Sequence, residues 1–312
     1  MDDKFRNHCF GIEIEHTGIT RHSVSDILGR EFCKTTKEIF LPNRGYYNYR
    51  ITDKNDRKWN VKLDSSIAAE RYENGRIVPA SSFYMVELIS PILQYDRDID
   101  TLLWIINRLR NAGALANKKY GIHIHLDGRQ YTAHDVKNLC NIVASRTELF
   151  SKSLEIVKAR RMKYCQDLDL NFIRSINAEP HVSLESIEEA WYTNPAYNQR
   201  LTRNQHYHPS RYRFLNLHSF FHGHRTLELR CFNGSLDPET IRAYIAFALG
   251  LNYLAQTTQY TWYRPVELDN PRYTMVHFLQ RIGLKGPEFA KAREILSNHL
   301  PGDPNWRTTR RT

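Results

Sequence analysis

Four short segments place carboxylates or imidazoles at every second position. The first, within "CFGIEIEHTG" (9–18), sets Glu13 and Glu15 against Ile12 and Ile14. "MVELIS" carries Glu87, and "GIHIHL" carries His123 and His125 between Ile122, Ile124 and Leu126. "RTLELR" sets Glu228 and Arg230 against Leu227 and Leu229. Alternation with period two is the pattern of a half-buried strand, because successive side chains point to opposite faces. Each segment alone has an ordinary explanation. A strand-face Glu is usually solvated, and an H-x-H pair usually sits on a surface or packs in a core. If the strands are neighbours in one sheet, however, four carboxylates and two imidazoles converge on one face.

Ionised carboxylates do not crowd together without a counter-charge; proximity raises their pKa values or recruits cations. A carboxylate-rich set with few nitrogens suits Mg²⁺ or Mn²⁺ better than zinc, which prefers Cys and His. Two such cations would serve phosphate chemistry by neutralising charge on phosphate oxygens. Arg230 shares the face of Glu228, and Arg225 opens the same segment. They either pair with carboxylates and do nothing more, or clamp a transferring phosphoryl group. No Ser/His/Asp or Cys/His signature points to a protein nucleophile.

These side chains need strands, and the surrounding sequence supplies candidates. Residues 9–18 read as a strand and 23–35 as a short helix, capped by Ser23 or Ser25. Residues 46–67 read as a hairpin turning at Asp53–Asp56. A strand is expected at 82–90, stopped by Pro91, then a helix over 98–116 with one apolar face. The strand 121–126 follows, then a helix from 132 to 156 with Thr132 as N-cap. Residues 160–210 are polar and irregular, with a helical patch near 185–192, and suggest a mobile loop or insertion. Residues 211–220 and 225–232 suggest two antiparallel strands joined at "FHGH". Asp237-Pro238 starts an apolar helix over 238–257, and a last helix runs over 285–299. Strands interspersed with long helices indicate an α+β class with a mainly antiparallel sheet.

The 312 residues, 41% hydrophobic and 25% charged, are ample for a large core. No apolar run reaches bilayer-spanning length, and the charged N-terminus lacks the apolar stretch of a secretory signal. Five scattered cysteines without a C-x-x-C pair suggest neither a zinc knuckle nor a disulfide framework. A reducing, cytoplasmic setting is expected. The net charge of +10 favours anionic partners, with the basic residues densest at "KARRMK" (158–163) and in the terminal "RTTRRT". No nucleic-acid-binding motif and no internal repeat is present.

The ordered set of E-x-E, "VELISP", "GIHIHL" and "RTLELRCFNGSLDPE" resembles the amidoligase family, over about residues 9–258. That family is a branch of the glutamine synthetase-like and glutamate–cysteine ligase-like carboxylate–amine ligases. The resemblance implies a glutamine synthetase-type catalytic domain over residues 1–258, extended by 259–312. It implies a curved sheet forming a funnel with helices outside, and with 46–67 and 160–210 at the substrate side. It also implies that Glu13, Glu15, Glu87, His123 and Glu228 hold two Mg²⁺ (or Mn²⁺) ions. His125 would lie against the ATP phosphates, Arg230 would stabilise the transferred phosphate, and Arg225 would be a second phosphate contact. Arg211 resembles the arginine that meets the substrate carboxylate or phosphate, with Asn216 as its companion. "WNVKLDSSI" resembles a W-x-x-x-x-D-G-S element in which Asp64 attracts the incoming amine and Trp59 lies at the substrate, although Ser65 replaces the glycine.

The implied activity is an ATP- and Mg²⁺-dependent ligation of a carboxylate and an amine through an acyl phosphate. Its substrates would be an amino acid, a peptide or a protein carboxylate, with no membrane partner. Two other readings use the same residues. A metal-dependent phosphoesterase or nuclease would cleave a phosphodiester without ATP. An inactive relative would bind nucleotide and release no ADP.

Overall fold

Alternation at the start of the chain does produce a strand, β1 (Cys9–His16), whose Ile12 and Ile14 are buried. The computed structural model describes residues 7–34, 37–41, 46–193 and 203–307. It divides into two compact units. The first holds 9–124 and 232–242; the second holds 1–8, 125–231 and 243–312.

In the first unit, β1 is followed by α1 (Arg21–Phe32), β2 (Lys37–Leu41), β3 (Tyr46–Thr52) and β4 (Lys58–Lys62). A small hairpin of β5 (Glu70–Glu73) and β6 (Arg76–Pro79) leads through a 3-10 turn at Ser82–Tyr84 to β7 (Val86–Ile89) and β8 (Leu93–Gln94). The helix α2 (Tyr95–Asn111) precedes β9 (Gly121–Asp127). The strand path is β9–β1–β7–β4–β3–β2, with β8 also on β1. The pairs β1–β7, β1–β8, β4–β7, β3–β4 and β2–β3 are antiparallel.

The helix α1 presents Val24, Leu28 and Phe32 at four-residue spacing and packs on β3, β4 and α2. Thr20 caps it by accepting from the Ser23 N–H, so the cap lies three residues before the earlier of the expected serines. The α2 core stripe is Leu102, Leu103, Ile105, Ile106 and Leu109. Trp59 is buried among these layers, 5.7 Å ring to ring from Phe32, and its indole donates to Asp53. It therefore has no face for a substrate, which corrects the expectation from its motif. Asp53 in turn belongs to a buried network in which Arg57 bridges Asp53 and Asp98, both at 2.8 Å.

The second unit contains the later part of β9, the helices α3 (Ala133–Ser153), α4 (Lys158–Lys163), α5 (Leu170–Ala178) and α6 (Leu184–Tyr192), then β10 (Leu215–Asn216), α7 (His218–His222) and most of β11 (Thr226–Asn233). The helix α8 (Pro238–Thr257) begins in the first unit; α9 (Pro271–Arg281) and α10 (Ala290–Ser297) complete the second. Thr132 and Asp135 form a capping box for α3, as the N-cap expectation had it. Phe150 anchors the core, 6.1 Å from Phe214, 5.1 Å from Phe247 and 5.2 Å from Phe278.

Three expectations change here. About half of the described residues of the 160–210 stretch are helical, because Ile173, Ile176, Ile187 and Trp191 give α5 and α6 buried faces against each other and α3. Residues 194–202 of that stretch lie outside the described residues, as do 308–312 of the basic tail. The expected strand at 211–220 is only two residues long, and "HSFFH" (218–222) forms a short helix where the end of that strand and the start of the "FHGH" turn were expected. The helix expected over 285–299 is shorter, and α9 was not anticipated. The α+β class with a mainly antiparallel sheet stands. Among the described residues, no helix is long and apolar enough to cross a membrane.

Candidate active site

Register places the carboxylates. Glu15 on β1 lies opposite Glu87 on β7, which lies opposite Lys62 on β4. Glu13 is two residues before Glu15 and so shares its face. On β9, His123 Nδ1 lies 3.1 Å from Glu13 Oε2, and its Nε2 lies 3.8 Å from Glu15 Oε1. An ionised carboxylate only accepts, so a neutral imidazole here carries its proton on Nδ1 and turns its Nε2 lone pair toward the Glu15 side. The second oxygen of Glu15 accepts from the Gly121 N–H at 2.6 Å, which fixes that carboxylate on the β9 backbone.

The electrostatics are unbalanced. The Glu87 carboxyl is pushed well above the usual carboxylate range by burial first, then by Glu13, Asp64 and Glu15, with Lys62 opposing. One ligand atom each from Glu13, Glu87 and His123 lies within 4.8 Å of the others. Two carboxylates and one imidazole at that spacing fit a hard divalent cation, whose charge would reverse the repulsion at Glu87. Asp64, in the loop after β4, is half-buried and accepts from the Ser66 N–H at 2.7 Å. It is close enough to Glu87 to raise its pKa.

In the second unit Glu228 sits in the opposite situation. It is 2% exposed, paired through Oε1 with Arg230 and held through Oε2 by the Asn216 amide at 2.6 Å. The pairing of β10 with β11 sets Asn216 opposite Glu228, and Asn216 also accepts from the His218 N–H at 2.8 Å. Asn216 is thus a buried carboxylate partner, not the companion of Arg211 that the motif suggested. The Arg230 guanidinium, itself buried, lies over the Tyr212 ring at 5.8 Å.

His125 Nδ1 lies 3.2 Å from the Thr226 hydroxyl, so β9 presents it to β11. Arg225 is exposed, stacks on Phe220 at 4.4 Å and has a left-handed φ of 57°. Its carbonyl accepts from the Gly128 N–H, and a Cβ on Gly128 would meet Phe220 at 2.7 Å. The turn after β9 therefore requires glycine. Arg211 donates to the His206 carbonyl at 3.1 Å and packs on Tyr207 and Tyr212.

Sequence reasoning missed Lys62 beside Glu87, which hairpin periodicity could have exposed. It also missed a histidine cluster: His208 and His218 stack at 5.4 Å, with His222 5.9 Å from His218. Tyr192 approaches all three, and its hydroxyl lies 2.6 Å from His218 Nδ1. Burial lowers the His218 pKa to about 4, against the Gln205 carbonyl and with His208, His222 and Arg211. His218 and His222 sit four residues apart on α7, a spacing the sequence does show, whereas His208 and Tyr192 come from other segments with no local pattern to link them.

Residues 6–252 match the model of a family described as "Putative amidoligase enzyme". The match covers well over half of the chain, which belongs to the amidoligase family. No curated protein matches the chain. Among solved structures, a bifunctional glutathione synthetase from Pasteurella multocida is similar at 16% identity and a TM-score of 0.36. That match covers 94% of this chain and 48% of the other, so this chain spans about half the length of that enzyme. The likeness is too distant to carry an argument.

Proposed function

We propose that the chain is an ATP-dependent carboxylate–amine ligase with a glutamine synthetase-type catalytic domain over residues 1–258. The observation that supports this best is the set of Glu13, Glu87 and His123, where carboxylates crowd at ligand spacing and lift the Glu87 pKa. In this reading Glu13, Glu15, Glu87 and His123, together with Glu228, hold Mg²⁺ or Mn²⁺. The bound cation would supply charge neutralisation at the phosphates. Glu228 already has a cationic partner in Arg230, so its service as a ligand requires Arg230 to turn toward phosphate.

The remaining groups divide the reaction. A substrate carboxylate oxygen attacks the γ-phosphorus of ATP and ADP leaves. Arg230 offers its guanidinium to the transferred phosphoryl group, and His125 and Arg225 contact the nucleotide phosphates. The amine then attacks the acyl carbon, and phosphate departs with the former carboxylate oxygen. Asp64 holds the incoming ammonium and receives its proton. Arg211 meets the acceptor carboxylate. The substrates are an amino acid, a peptide or a protein carboxylate, consistent with the net charge of +10. No protein nucleophile takes part; positioning and electrostatics carry the rate.

The test is Mg²⁺-dependent ADP release with a panel of amino acids and peptides. Release that rises with an acceptor amine and is lost in a Glu13→Ala, Glu228→Ala double variant supports the reading. Unchanged turnover in that variant, or cleavage of a phosphodiester without ATP, overturns it.

A further inference from the structure

In the first unit, the sheet face that carries the carboxylates continues past β7 with the opposite charge. Strand pairing fixes which side chains share it. Lys62 lies opposite Glu87, Arg50 opposite both Asn60 and Lys37, and Lys58 opposite Thr52. Residues directly opposite on paired strands point to the same face, as do alternate residues along one strand. Lys37, Arg50, Lys58 and Lys62 therefore stand together on the Glu87 side of β2, β3 and β4. Tyr49, Trp59 and Val61 are buried on the other side.

All four cations are exposed, and among the described residues none makes an ion pair with a carboxylate. Arg50 donates to the Asn60 side-chain oxygen at 3.0 Å and Lys58 to the Thr52 hydroxyl at 2.9 Å, both neutral acceptors. Other arginines of this unit are matched: Arg57 with Asp53 and Asp98, Arg97 with Asp98, and Arg71 with Glu73. Lys37 and Arg50 face each other directly, and like charges so placed weaken a strand pair until an anion joins them. Along β4, Lys58 and Lys62 are about 13 Å apart with Asn60 between them. An extended peptide with an acid at every second position repeats its carboxylates at about 6.8 Å, in step with such a strand. A nucleic-acid strand would need rings on which its bases stack, and the described side chains of this face carry none.

We infer that this face of β2, β3 and β4 binds an extended acidic peptide segment, its carboxylates resting on Lys62, Lys58, Arg50 and Lys37. Lys62, opposite Glu87, brings one of those carboxylates to the edge of the proposed cation cluster. Binding of the peptide does not depend on the ligase reading. Activation of the carboxylate held at Lys62 does rest on it, and makes the substrate an acidic peptide or protein segment in place of a free amino acid.

The experiment is calorimetric titration of the full chain at low salt, without ATP or Mg²⁺. The probe is an acetylated, amidated pentapeptide that alternates glutamate with alanine, and its control carries glutamine for each glutamate. The acidic peptide should bind saturably, and the control at least about tenfold more weakly. An Arg50→Gln, Lys62→Gln double variant should weaken the acidic peptide at least about tenfold. A Lys158→Gln, Lys163→Gln variant removes the same charge from α4 and should change affinity less than about twofold. All four substituted residues are exposed, so both variants keep the core intact. Equal binding of the two peptides, no saturable binding at millimolar peptide, or equal losses in the two variants would overturn the inference. Tighter binding of a thymidine hexanucleotide, lost in the Arg50→Gln, Lys62→Gln variant, would overturn it in favour of nucleic acid. A chain that binds the peptide and releases no ADP when ATP and Mg²⁺ are added overturns the ligase reading alone.

Discussion

Glu87 and Glu228 are both acidic residues on strands, and their surroundings are opposite. Glu87 faces Glu15 across one strand pair and Lys62 across the other, and burial and neighbouring carboxylates raise its pKa. Glu228 has both oxygens committed, to Arg230 and to Asn216. The first is a concentration of negative charge that a cation would stabilise. The second is already neutralised by a cation from its own strand. A strand-face Glu in the sequence can thus stand for a cation site or an internal ion pair, and only the partners tell them apart.

The comparison breaks most visibly in activity. Glu13→Gln keeps the size of the side chain and removes one charge from the cluster. Its Mg²⁺-dependent ADP release should fall at least about a hundredfold, measured at saturating ATP. A fall of less than about threefold would place the cation elsewhere.

In stability the two regions should respond with opposite signs. Arg230→Met leaves Glu228 buried beside one amide, and should cost about 3–5 kcal/mol in urea unfolding. Glu87→Gln in Mg²⁺-free buffer relieves repulsion and should leave stability unchanged or higher. If both variants lose the same amount, the two carboxylates do not differ as described.

A third carboxylate calibrates the second. Asp98 is buried, and although burial opposes it, hydrogen bonds from Arg97, Arg57 and the Gln94 N–H lower its pKa to about 2. Because the folded value lies below the ordinary one, its contribution is present above the ordinary carboxylate range and is lost as pH falls toward 2. Asp98→Asn should therefore cost about 2 kcal/mol at pH 7 and less at pH 2.5, compared by urea titration at both pH values. An equal cost at both would remove the charge from the explanation.

Arg225 should show the smallest stability cost among the arginines. It is exposed and stacked on Phe220, so Arg225→Ala should cost no more than about 1 kcal/mol. If it contacts phosphate, the same change raises KM for ATP several-fold, so an unchanged KM would remove it from the site.

Much of this contrast was legible in the sequence. Period-two alternation placed Glu13, Glu15, Glu87, His123 and Glu228 on strands, because the apolar alternates must be buried. Asp237-Pro238 and Thr132 marked helix starts through their local chemistry. What depended on partners was not legible. Asn216 meets Glu228 through a two-residue strand too short to leave a pattern. Trp59 looked like part of a substrate motif, and its burial follows from packing under α1. The α5 and α6 pair has apolar faces too short to stand out within a polar stretch.

The proposed function stands or falls on whether the Glu13, Glu87 and His123 cluster holds a divalent cation. Titration of the chain with Mn²⁺, followed by the loss of the free-ion paramagnetic resonance signal, tests it without knowledge of either substrate. Saturable binding that weakens at least about tenfold in Glu13→Gln and in His123→Ala is the predicted result. Binding equally strong in both variants, or no saturable binding by the unaltered chain, would contradict it.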